Sequence, residues 1–212
     1  MNPSVTVVDY GLGNLFSVAR ALESQGASVR LAADAESVRA ADRLVLPGVG
    51  AFGDGMAGLA SRGLVEPIRD FARTGRPLFG ICLGTQLLMD EGHEFGTHRG
   101  LGLVPGSVGP FDEQAAPAEK IPHVGWNAIR PSNGHGWSGT LLSDTAPGTP
   151  VYFTHSYVIR PSNGEDVVAV ADYAGHPICA VLRHENVSGC QFHPEKSGPA
   201  GLAILGRVVA GS

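Results

Sequence analysis

The chain has 212 residues, a formal net charge of -5 at pH 7 and 43% hydrophobic residues. This length suits a single domain of medium size with a substantial core, so we take residues 1–212 as one domain. The mildly acidic charge includes no long run of one sign, which gives no reason to expect nucleic acid or a membrane surface as a partner.

The three cysteines are an odd number and include no Cys-x-x-Cys pair: Cys82, Cys179 and Cys190. Neither a disulfide framework nor a zinc site is therefore indicated, and no metal or organic cofactor is indicated elsewhere. The first nine residues lack the basic flank of a signal peptide, and no apolar stretch approaches the length of a membrane span. We expect a soluble, cytoplasmic protein in a reducing compartment.

The first half of the chain alternates short apolar strands with helix-compatible segments. Strands are predicted over 4–8, 27–31 and 43–46, and helices over 15–22, 35–40 and 64–74. This alternation implies parallel strands with crossover helices. The segment 47–56 is too rich in glycine to be helical at its start, and a loop after a parallel strand is where open α/β sheets bind ligands.

Residues 77–88 have the layout of a nucleophile elbow, in which an apolar strand ends in Gly-x-Cys-x-Gly and helical spacing follows. A nucleophile on such a turn has a strained backbone, so its neighbours must lack side chains, and Gly80 and Gly84 are those neighbours of Cys82. The turn also places Cys82 at a helix N-terminus, which favours the thiolate over the thiol. The helix is predicted to run from about residue 85 to 91.

A cysteine nucleophile needs a general base, and His193 is the candidate. It belongs to Gln191-Phe192-His193-Pro194-Glu195, which ends a predicted strand. Because proline pushes the preceding residue towards an extended conformation, His193 and Glu195 are expected to project to one side. The carboxylate can then accept from one imidazole nitrogen and direct the other nitrogen towards Cys82.

The second half is rich in glycine, proline and short β-prone runs, which predicts hairpins and mixed or antiparallel strands. Strands are predicted over 119–123, 125–129, 151–155, 157–160, 167–173, 178–183 and 187–192, with a closing helix over 198–209. Segments 111–120 and 132–150 are predicted to be surface loops or hairpin tips. The fold class is therefore α/β, with a central, mostly parallel sheet flanked by helices and an additional antiparallel or mixed β region in the C-terminal half.

These motifs resemble those of the class I, or triad-type, glutamine amidotransferases, and within them the glutaminase subunits of imidazole glycerol phosphate synthases. The general resemblance rests on residues 80–84, Gln86 and residues 192–195. The narrower one rests on Asp9-Tyr10-Gly11-Leu12-Gly13-Asn14-Leu15, Pro47-Gly48-Val49-Gly50-Ala51-Phe52, Pro122-His123-Val124-Gly125-Trp126-Asn127, Phe153-Thr154-His155-Ser156-Tyr157 and Pro194-Glu195-Lys196-Ser197. The resemblance implies the single-domain fold of this family. Thr85 stands where methionine is common, which leaves the catalytic backbone groups unaffected.

The resemblance implies a role for each site residue. Cys82 would attack the side-chain amide of L-glutamine, His193 would protonate the departing ammonia and later activate water, and Glu195 would hold the imidazole. The backbone N–H groups of Val49, beside Gly50, and of Leu83 would form the oxyanion hole. The residues implied to line the glutamine pocket are Gln86, Glu94, His155, Ser156 and Tyr157.

Ammonia released into water would be protonated and lost as a nucleophile, so it needs a closed route to an acceptor site. The resemblance implies that a cyclase subunit of (β/α)8-barrel form supplies this site in a heterodimer, within histidine biosynthesis. Asn14, Trp126 and Lys196 match positions that face this partner. In this family the segment around Val49 is often not ready for catalysis until the partner and its ligand bind, and the flanking glycines would permit a peptide flip here.

Three other functions remain open. Another free-standing glutaminase subunit, such as that of pyridoxal phosphate synthase, is disfavoured by residues 10–14 and 122–127. A redox-sensing or chaperone-like protein with a reactive cysteine needs no base triad, so residues 193–195 argue against it. An inactive subunit that only stabilises its partner is disfavoured by the intact triad.

Overall fold

The computed structural model describes residues 2–111, 120–132 and 136–211. The first part of the chain forms β1 (Ser4–Val8), α1 (Leu15–Ser24), β2 (Ser28–Ala32), α2 (Ala35–Arg39), β3 (Leu44–Leu46), α3 (Phe52–Ser61), α4 (Val65–Arg73), β4 (Leu78–Ile81) and α5 (Leu83–Leu87). The rest forms β5 (Met89–Gly92), β6 (His98–Arg99), β7 (Val104–Pro110), β8 (His123–Pro131), β9 (Pro150–His155), β10 (Tyr157–Pro161), β11 (Val167–Tyr173), β12 (His176–His184), β13 (Val187–Cys190) and α6 (Gly198–Ala210), with 3-10 turns at Gly164–Asp166 and Pro194–Lys196.

The large sheet has the strand order β2-β1-β3-β4-β13-β12-β11-β8-β9. Neighbours from β2 to β13 are parallel, whereas neighbours from β13 to β9 are antiparallel. Strands β10-β7-β5-β6 form a second sheet. The predicted α/β class, with parallel strands first and antiparallel strands in the C-terminal half, is confirmed.

The insertion of β13 beside β4 decides where the site forms. These two strands are parallel, and Cys190 of β13 pairs with Ile81 of β4. The residues that follow the two strands therefore leave the sheet at the same edge. The elbow cysteine comes from one strand, and the segment 191–195 comes from the other.

Side chains on both faces of the parallel strands are buried. In β3, Val45 packs in a cluster that includes Leu205 of α6, whereas Leu44 and Leu46 pack in another cluster that includes Phe71 of α4. Alternate residues of a strand point to opposite faces, so helices cover the sheet on both sides. Among the described residues, no helix has both the length and the apolar character needed to cross a membrane.

The predicted loop after β3 is shorter than the segment 47–56, because α3 already begins at Phe52. The backbone N–H of Phe52 donates to the carboxylate of Glu94 at 2.8 Å, which satisfies one donor of the first helical turn. The glycines in this helix allow close packing: a Cβ on Gly58 would lie 2.9 Å from the carbonyl oxygen of Tyr10. Tertiary contacts thus outweigh the low helix propensity of glycine.

The helix after the elbow is also shorter than predicted, because α5 ends at Leu87 and residues 89–92 form β5 instead. This strand pairs in parallel with β7 and antiparallel with β6. A Cβ on Gly92 would lie 2.5 Å from the ring of Phe52, so this strand packs directly on α3. Pairing with strands distant in sequence overrides the local helical spacing.

In the described part of 132–150, the predicted loop is confirmed up to the start of β9, but its predicted surface position is wrong at three residues. Trp137, Leu141 and Leu142 are buried in the core, and the indole nitrogen of Trp137 donates to the carbonyl of Val168 at 3.2 Å. Residues 133–135 and 112–119 lie outside the described residues, so most of the other predicted loop, over 111–120, stays a prediction. The strand predicted to begin at residue 119 begins at His123.

Candidate active site

Cys82 lies in the sharp turn between β4 and α5. Its φ is 53° and its ψ is -112°, a strained conformation for a residue with a side chain, and its backbone N–H donates to the carbonyl of Cys190 at 2.8 Å. The strain lies on Cys82 itself, whereas Gly84 is required by packing. A Cβ on Gly84 would lie 1.7 Å from the carbonyl oxygen of Leu46, so the elbow presses directly on β3. Sterics therefore hold the cysteine in place.

His193 and Glu195 form the predicted pair. Nδ1 of His193 lies 2.8 Å from Oε1 of Glu195, and the two side chains are 3% and 1% exposed. Nε2 of His193 is also buried, and no described residue lies within hydrogen-bonding distance and angle of it. Burial alone would lower the pKa of His193, but its interactions with Cys82 and Glu195 outweigh burial and raise that pKa to about 9. The imidazole thus interacts with the carboxylate on one side and with the cysteine on the other.

A closed ring of hydrogen bonds fixes the backbone of His193. Its N–H donates to the carbonyl of Tyr152 at 2.9 Å, the N–H of Tyr152 donates to Oγ of Ser197 at 2.9 Å, and that hydroxyl donates to the carbonyl of His193 at 2.7 Å. Ser197 is 2% exposed. The sequence motif 194–197 contains Ser197 but indicates no role for it, because its partner Tyr152 lies on β9.

One cavity of about 400 Å³ brings most of the predicted site residues together. It is lined by Val49, Gly50, Cys82, Leu83, Gln86, Glu94, Pro122, Thr154, His155, Ser156, Tyr157 and His193. The predicted oxyanion residues and the predicted glutamine-pocket residues therefore face the same space as Cys82 and His193. Their individual roles stay predictions.

The segment with Val49 is anchored on its N-terminal side. The hydroxyl of Tyr10 donates to the carbonyl of Pro47 at 2.8 Å, and a Cβ on Gly48 would lie 2.3 Å from that hydroxyl oxygen. By contrast, the Val49 side chain is 41% exposed, and Gly50 has a φ of 110° with open space around the position of a Cβ. The segment thus combines a rigid start with a freer peptide between Val49 and Gly50.

His155 lines the cavity, but both of its ring nitrogens are already bonded. Because a carbonyl only accepts, Nδ1 of His155 donates to the carbonyl of Tyr157 at 2.8 Å, and its Nε2 then accepts from Nδ1 of His123 at 3.1 Å. Asn127 lies 3.4 Å from the remaining nitrogen of His123. Burial lowers the pKa of His155 to about 3 and that of His123 to about 4, so both rings are neutral near pH 7.

Gln86 is buried and uses its side-chain N–H donors within the protein. Its Nε2 donates to the carbonyl of Tyr157 at 3.2 Å and to Oε1 of Gln191 at 3.1 Å, which leaves its own oxygen as the free acceptor. Gln191 in turn contacts Cys82. Its position two residues before His193 in the sequence indicates no function for it.

Two of the three predicted partner-facing residues share a neighbour. Trp126 is 58% exposed and meets the ring of Tyr152 edge-on at 6.1 Å, and Nζ of Lys196 lies 5.9 Å from the centre of the same ring. Asn14 is exposed at the N-terminus of α1, where its Oδ1 accepts from the N–H of Ser17 at 3.2 Å. Across the described part of the chain, no three His, Cys, Asp or Glu side chains are grouped so as to hold a metal ion.

Comparison with known proteins identifies the family. The family model for class-I glutamine amidotransferases matches residues 6–209. The chain is 49% identical to the imidazole glycerol phosphate synthase subunit HisH 1 of Legionella pneumophila (strain Lens) over 205 residues, covering 95% of this chain and 96% of the relative. It is 45% identical to the imidazole glycerol phosphate synthase subunit HisH of Rhodopirellula baltica over 204 residues, covering 96% and 95%.

A solved structure supports the fold alone. The structure of PurLQS from Thermotoga maritima matches with a TM-score of 0.73 at 19% identity, covering 99% of this chain and 98% of that chain. Together with the two relatives, the family match confirms the resemblance inferred from the elbow and the histidine motif. The chain belongs to the class I glutamine amidotransferases, within the family of the HisH subunits of imidazole glycerol phosphate synthase.

Proposed function

We propose that this chain is the glutaminase subunit of an imidazole glycerol phosphate synthase. It hydrolyses L-glutamine to glutamate and ammonia at Cys82 and passes the ammonia to a cyclase subunit. One observation carries the site assignment: the cavity next to the strained Cys82 is also lined by His193, and Glu195 holds the far side of that imidazole at 2.8 Å. This is the arrangement of a nucleophile, a base and an orienting acid.

The reaction follows from these positions. Cys82 passes its thiol proton to His193, and its sulfur attacks the side-chain carbonyl carbon of glutamine to form a tetrahedral intermediate. His193 gives a proton to the departing amine, so that ammonia leaves and a glutamyl thioester remains. A water molecule then gives its proton to His193 and attacks the thioester, after which the carbon–sulfur bond breaks and glutamate leaves.

The oxyanion of each tetrahedral intermediate needs N–H donors. Leu83 is the first residue of α5, so its N–H has no partner within that helix, and the residue lines the cavity. The N–H of Val49 is the second proposed donor. Losing one such donor typically lowers the rate by about a hundredfold to a thousandfold.

Two hydrogen bonds fix the chain on either side of Val49, which supports the proposal that the partner controls the position of this second N–H donor. Tyr10 holds the start of the segment at Pro47, and Glu94 holds the start of α3 at Phe52. Movement is therefore confined to the few peptides between these anchors. In this proposal, binding of the cyclase and its ligand turns the Val49 peptide towards the cavity.

In this proposal, the cyclase barrel binds to the surface beside the triad. Trp126 and Lys196 both contact Tyr152. The backbone of Tyr152 is bonded to that of His193, and Lys196 follows Glu195 directly. Contact with the partner at this surface therefore acts on the turn that carries the base.

Glutamate release from L-glutamine tests the proposal. We would measure it for the purified chain alone, with its cyclase subunit, and with both the cyclase and its nucleotide substrate. We expect strong activity only in the complete mixture and none with Cys82→Ala. Cys179→Ala is the matched control because Cys179 is another buried free thiol, in β12, and does not line the cavity.

Either of two results would overturn the proposal. One is the absence of glutamate from a folded, complete complex with intact Cys82. The other is equal activity in the parent and Cys82→Ala. Oxidation of Cys82 by hydrogen peroxide without any glutaminase activity would favour a redox sensor instead.

A further inference from the structure

Gln191 lies next to the proposed nucleophile because of the sheet register. It follows β13 directly, and β13 pairs in parallel with the strand that ends before Cys82. The side chain is fully buried, at 0% exposure, and its Nε2 lies 3.7 Å from Sγ of Cys82. The mechanism described above gives this buried polar group no role.

A backbone carbonyl fixes which end of the Gln191 amide faces the sulfur. The carbonyl of Tyr157 can only accept, so the group of Gln86 that lies 3.2 Å from it is the NH2 group. That NH2 group also lies 3.1 Å from the Gln191 side chain, which must therefore present its oxygen there. The NH2 group of Gln191 consequently points towards Cys82.

We propose that Gln191 is a further catalytic residue, whose side-chain amide donates a hydrogen bond to Sγ of Cys82 and stabilises the thiolate. The inference rests on the proposed function, because it takes Cys82 as the nucleophile. An amide keeps its protons at every pH of interest, so Gln191 donates both before the attack and when the thioester breaks. His193 differs because it must exchange its proton during the cycle.

The other contacts of the sulfur make this donor important. The carbonyl oxygen of Thr154 lies 3.9 Å from Sγ, and an acceptor there favours the protonated thiol. Three titratable groups also interact with Cys82: Tyr10, Cys190 and His193. Burial raises the pKa of Tyr10 and that of Cys190, so both are neutral near pH 7. Besides the N-terminus of α5, Gln191 and His193 are therefore the side chains, among the described residues, that favour the anion.

The test is the rate at which iodoacetamide alkylates Cys82, followed by mass spectrometry from pH 5 to 10 on the full chain. The variant Gln191→Met keeps a similar volume and removes the donor. We expect its alkylation at pH 7 to be about tenfold slower than in the parent, with nearly equal rates at high pH. Equal rates for parent and variant over the whole range would overturn the proposal.

Thr85→Val is the matched control. Thr85 is fully buried in the same elbow, and its hydroxyl donates to the carbonyl of Cys190 at 2.8 Å. This variant loses a buried hydrogen bond without removing the donor to the sulfur, so its alkylation profile should stay within about twofold of the parent. A tenfold loss here as well would show that any damage to the elbow slows alkylation, and would overturn the assignment to Gln191.

A second measurement does not depend on the folding of Gln191→Met. In a chain whose glutamine residues carry 15N in their side chains, the NH2 resonance of Gln191 should differ between the parent and Cys82→Ala. The protons of this group should also exchange slowly with solvent. An unchanged resonance would overturn the contact. Neither readout needs free glutamine as a substrate, and neither needs the cyclase. An active enzyme with an unchanged alkylation profile therefore defeats only this inference, and an inactive chain with the expected profile defeats only the proposed function.

Discussion

The proposed nucleophile, Cys82, and its proposed base, His193, are held by different physical means. Cys82 lies at the edge of the parallel strands, where the elbow leaves no room: a Cβ on Gly84 would lie 1.7 Å from a β3 carbonyl oxygen, and one on Gly80 would lie 2.6 Å from the Cα of Thr85. His193 is held instead by hydrogen bonds to groups from separate segments, among them Tyr152 and Ser197. The first arrangement is rigid but tolerates no added atom, whereas the second can lose single contacts and keep its fold.

The largest effect is expected from Gly84→Ala, which disturbs the elbow that holds Cys82. The added methyl group meets backbone, which cannot rotate away, so we expect destabilisation at or above about 3 kcal/mol and loss of glutaminase activity. Gly164→Ala is the control, because nothing lies within 4 Å of the position of its Cβ. Urea unfolding measures both variants. Similar, small changes in the two would show that the elbow can relax.

The corresponding change on the base side is Ser197→Ala. It leaves the buried N–H of Tyr152 without its acceptor and frees the carbonyl of His193, for a cost of about 1–3 kcal/mol. Because the base then loses its fixed position, we expect kcat to fall by about tenfold with KM for glutamine nearly unchanged. Ser24→Ala, which removes a hydroxyl bonded to a carbonyl of α1, should change neither constant. A rise in KM alone would place Ser197 in binding instead.

The coupling between the two sides should appear in the dependence of stability on pH. The pKa of His193 is raised to about 9 in the folded chain, so the protonated ring stabilises the fold below about pH 6.5, its unfolded value. That stability is lost as the pH rises through about 9. Since Cys82 is one cause of the raised pKa, the His193 ring should titrate at a lower pH in Cys82→Ala than in the parent, which the NMR signals of the ring measure directly. Equal titration midpoints in the two proteins would contradict the coupling.

The same contrast explains which parts of the site the sequence predicts. The elbow and the His193–Glu195 pair are contiguous motifs whose chemistry is local, so residue types and spacing predict them. The roles of Gln191 and Ser197 cannot be read from the same motifs, because their partners come from other segments. Local patterns do not show that β13 inserts beside β4, nor that residues 89–92 leave the helix to pair with β7.

The weakest expected effect concerns His155, which lines the cavity, and His123, which is bonded to it. Burial keeps the pKa of His123 near 4 and that of His155 near 3, whereas both would take up protons near pH 6.5 in the unfolded chain. Stability is therefore lost as the pH falls from about 6.5 towards 4. His123→Phe retains a ring beside Phe153 and Tyr173 but removes one of these titrations.

The free energy of unfolding of His123→Phe should therefore decrease less steeply with falling pH than that of the parent, by at most about 1.4 kcal/mol per pH unit. The variant also deprives Nε2 of His155 of its donor, so it should start from a lower stability at pH 7. Urea unfolding at pH 7, 6, 5 and 4 separates the two effects, since one changes the value at pH 7 and the other changes the slope. An unchanged slope would mean that His123 is protonated in the folded chain. Protonation would leave the bond from Nδ1 of His123 to Nε2 of His155 intact, but it would put a second N–H, on Nε2 of His123, 3.4 Å from the side-chain NH2 group of Asn127, so that two donors would face each other.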